Sequence, residues 1–381
     1  MERVYLWILC GLLSLPALAQ LTPKSLLIYY AYPSGINGTF SVAGAAAEFG
    51  QYAYVVLGDG LEFTSHPDHA NTQAIMAQSS TANTKFFGYI DLGVSTQNLS
   101  IGDIQNRIAL WKSTGADGVF LDDFGYDYLV SRQRQNDVVA YAHTQGLPVI
   151  ANGWNPDHVF GNQSDPSYNP SAVATVLNNS DFYLSESYLI TEGNFQNPAD
   201  WQTKAEKLRM YQTMIGFRVL SITTNSSANA YDQAKFWYAW YGAFLYGHEA
   251  TGWGEYNFAS NTGQIPFRSR PAIATPGTTF LTPVSAVGNE WSRFTDSGKI
   301  SINTNTHVFG FTPSATCQST GSNLWTDTAT WTCGRVPFPC DSVVIQNAHV
   351  VTINTLVDAA KTRLNGKLVY TTGGKLKLWL K

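Results

Sequence analysis

The sequence predicts an α/β protein, because short apolar runs alternate with helix-length amphipathic segments through most of the chain. Eight of these runs have the composition of strands that are buried on both faces. They span residues 26–32, 52–57, 85–91, 117–122, 147–152, 181–186, 217–223 and 248–253. Eight parallel strands joined by crossover helices predict a closed (β/α)8 barrel, which is the TIM-barrel fold.

The longer segments between the runs are predicted helices. Their apolar residues recur at helical spacing, and Asp, Ser or Asn stands near their starts. They cover residues 103–114, 130–145, 197–215 and 230–246. An open doubly wound sheet is the alternative for such an alternation, but it calls for a glycine-rich phosphate loop after the first strand. The turn at Tyr32-Pro-Ser-Gly35 lacks that glycine spacing, so the closed barrel is the predicted fold.

The chain changes character after the eighth run. Residues 290–312 predict a β-hairpin that packs on the barrel, with Asp-Ser-Gly at its turn. Residues 314–323 are rich in Ser, Thr, Gly and Asn and predict a linker. Short alternating strands follow to the end of the sequence. We therefore expect a barrel domain over residues 22–313, including the hairpin, and a small all-β module over residues 314–381.

Composition and the first residues bear on compartment and partners. The 381 residues are 44% hydrophobic with a formal net charge of -4, which argues against a nucleic-acid partner. Residues 1–19 have the pattern of a secretory signal, with Arg3 before an apolar core and Ala17-Leu-Ala19 at the cleavage position. No later run is long enough for a membrane span. We expect a protein that is secreted, periplasmic or held at the cell surface.

Three cysteines remain after the signal segment, namely Cys317, Cys333 and Cys340. A disulfide is expected in an oxidising compartment, with one cysteine left unpaired. We prefer Cys317–Cys333, because that bridge would staple a small module that has little core. Metal ligation is the alternative, but the spacings fit no common zinc pattern.

The chemistry of the chain is indicated by the stretch from Gly115 to Asp127. There the apolar run Val119-Phe-Leu121 ends in two adjacent acids, Asp122 and Asp123. Barrel enzymes carry their catalytic groups at the ends of strands, although acids in such a place can also cap the next helix.

A second acid of interest, Glu186, ends the sixth run in apolar surroundings that would favour its neutral form. Its structural alternative is an ion pair with Arg209 or Arg218. Glycoside hydrolysis needs two carboxyl groups, and Asp122 or Asp123 together with Glu186 supplies that pair.

Further polar and aromatic residues stand near the other strand ends, where they would bind or stack on sugar rings. The predicted substrate-binding residues are Tyr30, Asp59, Tyr89, Asp91, Asn152, Trp154, Tyr188, Trp253 and Glu255. A metal site at His66-Pro-Asp-His69 is an alternative use of that segment, but no further ligands are evident. We predict neither a metal nor a cofactor, because a two-carboxylate mechanism needs none.

Two families of enzymes resemble these motifs. Gly115-Ala-Asp-Gly-Val-Phe-Leu-Asp-Asp123 is similar to the fourth-strand motif of spherulin-4-like proteins, glycoside hydrolase family 135. Gly88-Tyr-Ile-Asp-Leu-Gly93 and the terminal hairpin look like glycoside hydrolase family 114, the endo-α-1,4-polygalactosaminidases. The segments Trp325–Trp331, Gly334–Pro337 and Asn347–Ile353 resemble the G8-like β-helix modules of secreted bacterial proteins.

The resemblance to the two hydrolase families implies a TIM barrel that cuts α-1,4-linked polymers of galactosamine or N-acetylgalactosamine. Asp122 and Asp123 match the acidic pair and Glu186 matches the acid of the sixth strand, although Asp123 stands where family 135 usually has Glu. We therefore predict a secreted endo-acting glycoside hydrolase with Asp122 as nucleophile, Glu186 as general acid/base and Asp123 as a substrate-orienting partner. The alternatives are a non-catalytic carbohydrate-binding barrel and an adhesin. The β module would contact the polymer or a cell surface.

Overall fold

The computed structural model describes residues 21–58 and 60–379, so the predicted signal segment 1–19 lies outside the described residues. The part up to residue 260 alternates strands and helices. In chain order these are β1 (Lys24–Tyr29), α1 (Val42–Phe49), β2 (Tyr54–Leu57), α2 (His69–Met76), β3 (Lys85–Asp91), α3 (Ile101–Thr114), β4 (Gly118–Asp122), α4 (Arg132–Thr144), β5 (Val149–Ala151), α5 (Pro156–Phe160), β6 (Phe182–Ser185), β7 (Ile190–Thr191), β8 (Asn194–Phe195), α6 (Pro198–Ile215), β9 (Arg218–Ile222), α7 (Gln233–Tyr246) and β10 (Ala250–Gly252). Short 3-10 helices lie at Pro33–Gly38, Ser79–Thr81, Tyr126–Tyr128 and Tyr256–Ala259.

Eight of these strands close into a parallel barrel. The neighbours run β1, β2, β3, β4, β5, β6, β9 and β10, and β10 pairs back with β1. The prediction of a TIM barrel is therefore confirmed. The predicted helices correspond to α3, α4, α6 and α7, while α1, α2 and α5 were not predicted. Strands β7 and β8 form a small antiparallel hairpin in the loop between β6 and α6.

Helix boundaries follow from capping chemistry. The hydroxyl of Ser100 accepts the backbone N–H of Asp103 at the start of α3. The helix ends at Gly115, whose φ of 107° is a conformation that glycine adopts without steric cost. The carboxylate of Asp232 accepts two backbone N–H groups at the start of α7. Each of these two helices ends a few residues before the next barrel strand begins.

Strand alternation divides the core into two layers. On β4, Phe120 faces the barrel interior, while Val119 and Leu121 face the surrounding helices. The interior is filled by apolar side chains from every barrel strand, namely Leu26, Ile28, Tyr54, Val56, Phe87, Phe120, Ile150, Phe182, Leu184, Leu220, Ile222 and Ala250. Side chains alternate with period two. The residue two positions after the last inward apolar residue of a strand therefore also faces inward, at the open carboxyl end of the barrel.

An antiparallel sheet covers one side of the barrel. Its strands are β11 (Ser285–Val287), β12 (Glu290–Thr295), β13 (Gly298–Asn303) and β14 (Phe309–Pro313). The predicted hairpin corresponds to β12 and β13, so residues 285–313 form a larger sheet than the sequence indicated. Ile300 and Ile302 of β13 are buried in the same cluster as Phe244 of α7, which attaches the sheet to the barrel.

The last described segment is a short parallel β-helix. Its strands are β15 (Thr316–Gln318), β16 (Asn323–Leu324), β17 (Ser342–Ile345), β18 (Val350–Ile353), β19 (Leu356–Ala359), β20 (Lys361–Leu364), β21 (Lys367–Tyr370) and β22 (Lys375–Leu378), with a 3-10 helix at Thr328–Thr330. They stack in parallel as β15-β17-β20, β16-β18-β21 and β19-β22. Trp325 and Trp331 fill the core between the stacks.

The cysteines lie in this β-helix. The predicted disulfide between Cys317 and Cys333 is confirmed, with Cα atoms 5.0 Å apart. Cys340 is buried and unpaired. Within residues 21–58 and 60–379, no helix is both long and apolar enough to cross a membrane.

Candidate active site

Three polar side chains occupy the first inward position above the apolar layer of the barrel. Asp122, Asn152 and Glu186 each follow an inward apolar residue of their run by two positions, at the ends of β4, β5 and β6. Those apolar residues are Phe120, Ile150 and Leu184. Since the three strands are neighbours in the sheet, their polar tips meet at one place.

Asn152 bridges the two acids. Its Nδ2 donates to Asp122 Oδ1 at 2.8 Å and to Glu186 Oε2 at 3.0 Å. One nitrogen that contacts both oxygens cannot leave them more than about 5.8 Å apart, the two bonds laid end to end. This limit applies to the two bridged oxygens, and it is closer to the about 5–5.5 Å of a retaining pair of carboxyl groups than to the roughly 6.5–9.5 Å of an inverting pair.

The surroundings of Asp122 disfavour the charged form of its carboxyl group. Burial raises the pKa of Asp122 to about 7, with the charges of Asp123 and Glu186 adding to the rise. The backbone N–H of Asp123 and the amide of Asn152 oppose it, because they donate to the carboxylate. The Asp122–Glu186 pair is therefore expected to hold a proton near neutral pH.

Asp123 takes a sharp turn directly after the strand. Its φ of 53° lies in the left-handed region, and its N–H donates to Asp122 Oδ1 at 3.0 Å. Burial raises the pKa of Asp123, and the nearby hydroxyls of Thr96 and Tyr128 oppose this rise. A side chain at Gly93 would meet the Cβ of Asp123 at 3.0 Å, so the neighbouring loop packs closely against this turn.

Two tyrosines lie below the acids. The rings of Tyr30 and Tyr89 meet edge to face with centroids 5.6 Å apart. Burial, followed by the charge of Asp122, raises the pKa of both phenols above the ordinary value. Both therefore stay neutral and can donate to a carboxylate or a sugar hydroxyl.

The three acids and Asn152 line a pocket of about 220 Å³, whose lining does not include the predicted residues Tyr30 and Tyr89. Its wall consists of Asp122, Asp123, Tyr128, Asn152, Gly153, Trp154, Glu186 and Lys204. Trp154 is 59% exposed at the rim, where a flat aromatic face is open to a ligand. Sequence reasoning missed Tyr128 and Lys204, because they come from a 3-10 helix and from α6 rather than from strand ends.

Two predicted substrate-binding residues, Asp91 at the end of β3 and Tyr188 after β6, lie outside this pocket. Asp91 is 3% exposed and accepts from the N–H of Gly93 and the hydroxyl of Thr96, both at 2.7 Å. Tyr188 is also 3% exposed, and its ring packs on His248 with centroids 4.7 Å apart. The alternation that predicted Tyr188 stops at Ser187, whose φ of 55° breaks the extended strand.

The two residues predicted at the end of the eighth barrel strand also lie outside the pocket. Trp253 is buried against Tyr231 with ring centroids 5.3 Å apart. Glu255 forms an ion pair with Arg268 at 2.7 Å. Both extend past the end of β10 at Gly252, where strand periodicity no longer orients side chains. The remaining prediction, Asp59, falls on a residue outside the described ones.

The structural alternatives for the acids are not realised. Helix α4 is capped by Ser131, whose hydroxyl accepts the N–H of Arg134, so neither Asp122 nor Asp123 caps it. The arginines proposed as partners for Glu186 are used elsewhere. Arg209 pairs with Glu206 at 2.8 Å, and Arg218 donates to the carbonyl of Ser180 at 2.9 Å.

The histidines at 66 and 69 support a loop. His66 Nδ1 accepts the N–H of Asp68 at 3.1 Å, and His69 Nδ1 lies 2.8 Å from the carbonyl of Leu61. Asp68 in turn accepts from the backbone and hydroxyl of Ser34. Across the part of the chain that the structure describes, no cluster of three or more His, Cys, Asp or Glu has a metal-binding arrangement.

No family model and no curated protein matches the chain. Among solved structures, the glycoside hydrolase domain of PelA from Pseudomonas aeruginosa is 13% identical with a TM-score of 0.39, over 60% of this chain and 94% of that one. The carboxyl transferase domain of Rhizobium etli pyruvate carboxylase is 14% identical with a TM-score of 0.38, over 60% and 39%. A putative dihydrodipicolinate synthetase from Pseudomonas aeruginosa is 11% identical with a TM-score of 0.33, over 62% and 70%. At these scores the assignment of the barrel fold rests on its own strand pairing.

Proposed function

We propose that this chain is an endo-acting glycoside hydrolase that cleaves an amino-sugar polysaccharide, of the α-1,4-galactosaminan or N-acetylgalactosaminan type. The observation that carries the proposal is the pair of acids Asp122 and Glu186, joined by the amide of Asn152 at the open end of the barrel. Both acids line a pocket that is large enough to admit a sugar ring. The substrate class rests on the resemblance of the strand motifs.

The geometry supports a mechanism that retains the anomeric configuration. Carboxyl groups about 5–5.5 Å apart suit a nucleophile and an acid/base, and the bridge through Asn152 keeps Asp122 and Glu186 close to that range. Asp122 is the proposed nucleophile, because the N–H of Asp123 stabilises its carboxylate when the shared proton of the pair lies on Glu186. Glu186 is the proposed general acid/base.

The reaction then takes two steps on these groups. Glu186 donates its proton to the glycosidic oxygen while Asp122 attacks the anomeric carbon, which expels the leaving chain and forms a glycosyl ester. Glu186 next removes a proton from water, the water attacks the anomeric carbon, and the ester bond to Asp122 breaks. The two acids end in their starting protonation states.

The other pocket residues have supporting roles in this proposal. Asn152 orients the nucleophile, and the rings of Tyr30 and Tyr89 pack against each other beside it. Trp154 offers a face on which a sugar ring stacks at the rim. Asp123 orients the substrate beside the nucleophile.

The proposal extends to location and to the β-helix. We propose that the protein acts outside the cytoplasm, which the Cys317–Cys333 disulfide supports. We further propose that the β-helix of residues 316–378 attaches the barrel to an insoluble polymer or a cell surface.

The test is the release of reducing ends from defined polymers. The protein should cleave α-1,4-linked galactosamine or N-acetylgalactosamine chains and leave an α-1,4-glucan and chitin intact. Proton NMR of the first product should show the α-anomer. Binding to the amino-sugar polymers without any cleavage would instead identify a non-catalytic carbohydrate-binding barrel.

A further inference from the structure

The positively charged side chain of Lys204 lines the pocket that contains the acids. Lys204 lies in the first half of α6 and reaches the pocket wall beside Glu186. Its Nζ stands 4.8 Å from the ring centre of Trp154 and 5.6 Å from that of Tyr183. The two rings hold the amine at a fixed place between the catalytic acids and the rim.

The same lysine lies where two depressions meet. An open groove of about 640 Å³ continues from the pocket along the start of α6, and Trp154 and Lys204 line both. Its other walls include Thr191, Phe195, Asn197 and Thr203. A polymer that crosses the acids can therefore continue into this groove, and its units must pass Lys204.

Lys204 has no ion-pair partner among the residues that the structure describes. Lys207, one turn further along α6, forms an ion pair with Asp157 at 2.5 Å. In residues 21–58 and 60–379, Lys204 forms neither an ion pair nor a hydrogen bond, so its charge remains available to a ligand. Burial lowers the pKa of Lys204 to about 8, against the opposing effect of the Glu186 charge. Below that pH the group is mainly an ammonium ion.

We propose that Lys204 is a specificity-determining residue that disfavours a sugar with a free, protonated amino group in this subsite and admits its N-acetylated form. This inference deepens the proposed function and rests on it. Two ammonium ions in a narrow, partly desolvated pocket repel each other by more than they would in water. An acetamide carries no charge, and its carbonyl oxygen can accept from the Lys204 amine.

The acids of the pocket make this selection necessary. Asp122, Asp123 and Glu186 together create a negative potential that attracts a cationic sugar. Without Lys204 the pocket would favour the free amine. With Lys204 beside Glu186 this preference is offset, so the charge of a single side chain sets the choice between the two forms.

The experiment measures binding without turnover in the full chain that carries Asp122→Asn. Isothermal titration calorimetry at about pH 6, where both kinds of amine hold their protons, gives Kd for two probes. One probe is a tetrasaccharide of α-1,4-linked N-acetylgalactosamine, and the other is its fully de-N-acetylated counterpart. Each is titrated into the Asp122→Asn protein alone and with Lys204→Met, Lys204→Arg or the distant control Lys375→Met.

Lys204→Met should tighten binding of the de-N-acetylated probe by about tenfold and change binding of the acetylated probe by less than about threefold. Lys204→Arg keeps the charge and should keep the original preference, as should Lys375→Met. If both probes bind and Lys204→Met leaves the ratio of their Kd values unchanged, the selective role of Lys204 is wrong while the proposed substrate class stands. If neither probe binds any variant, the proposed substrate class fails, and the role of Lys204 fails with it.

Discussion

The barrel mouth holds a partly buried aspartate and the β-helix a fully buried one, and the two have opposite surroundings. Asp341 in the β-helix is fully buried and accepts the N–H groups of Ala315 and Phe338, both at 2.6 Å. The guanidinium of Arg335 also donates to the carboxylate of Asp341 and forms an ion pair with it. Asp122 has hydrogen-bond donors as well, but it has no cation, and two further acids stand beside it.

The contrast separates a structural acid from a functional one. A buried carboxylate that serves the fold is saturated with donors and paired with a charge, because an unpaired one costs several kcal/mol. A carboxylate that must change its protonation state or form a bond is left short of partners and close to other acids. Asp341 fits the first description and Asp122 the second. The predictions below change one side of this comparison at a time.

The largest effect is expected for Asp122→Asn. Loss of the nucleophile should reduce hydrolysis of the amino-sugar polymer by about a thousandfold or more. Thermal unfolding should occur at the same or a higher temperature, because the substitution removes repulsion from Asp123 and Glu186. The exposed Asp137→Asn on α4 serves as control and should keep full activity. A variant at 122 that keeps most of its activity would remove Asp122 from the mechanism.

Glu186→Gln should show an effect that depends on the leaving group. An unactivated oligosaccharide needs a proton on its departing oxygen, and its hydrolysis should slow by about a thousandfold. An activated aryl glycoside needs little help and should slow by about tenfold in its first step. Steady-state rates on both substrates give the ratio. Equal losses on the two would assign the acid role to another group, with Asp123 the first to examine.

The decrease of kcat/KM on the basic side of the pH profile should begin near neutral pH. The active form of the pair holds one proton, on Glu186. The pKa of about 7 at Asp122 reflects the loss of this shared proton by the coupled pair, so kcat/KM should fall as the pH rises above about 7. The charge of Asp123 contributes to this raised pKa. Asp123→Asn should therefore move the basic limb to lower pH. A limb that stays in place would show that Asp123 does not act on the pair.

The smallest effect on activity is expected from the β-helix. Arg335→Met leaves Asp341 buried without its cation and should lower the free energy of unfolding of this segment by about 2 kcal/mol. Urea unfolding followed by tryptophan fluorescence would measure the loss. Hydrolysis of a short soluble oligosaccharide at 25 °C should stay within about twofold. A parallel loss of activity would mean that the β-helix supports the barrel site.

How much of this could be predicted depends on where strand periodicity holds. The barrel and the tips at Asp122, Asn152 and Glu186 could be predicted, because hydrophobic runs mark strands and alternation orients the next side chain. The structure does not bring the predicted substrate-binding residue Tyr188 to the pocket, because the chain leaves the extended conformation at Ser187. In such turns the sequence pattern no longer indicates where a side chain points.

Lys204 could not be predicted for a different reason. It lies within a helix three residues before Lys207, and nothing in the local sequence distinguishes the two. Only the position of α6 against the barrel mouth places one beside Glu186 and the other beside Asp157. Contacts of this kind depend on tertiary packing rather than on local pattern.

The most direct test of the catalytic pair is to trap the covalent intermediate. An activated 5-fluoro glycosyl fluoride of N-acetylgalactosamine would be incubated with the full chain, and the labelled peptide identified by mass spectrometry. The mechanism predicts one added sugar residue on Asp122, at the end of β4 and beside the amide of Asn152. A sugar attached to any other residue would contradict the assignment of Asp122 as nucleophile.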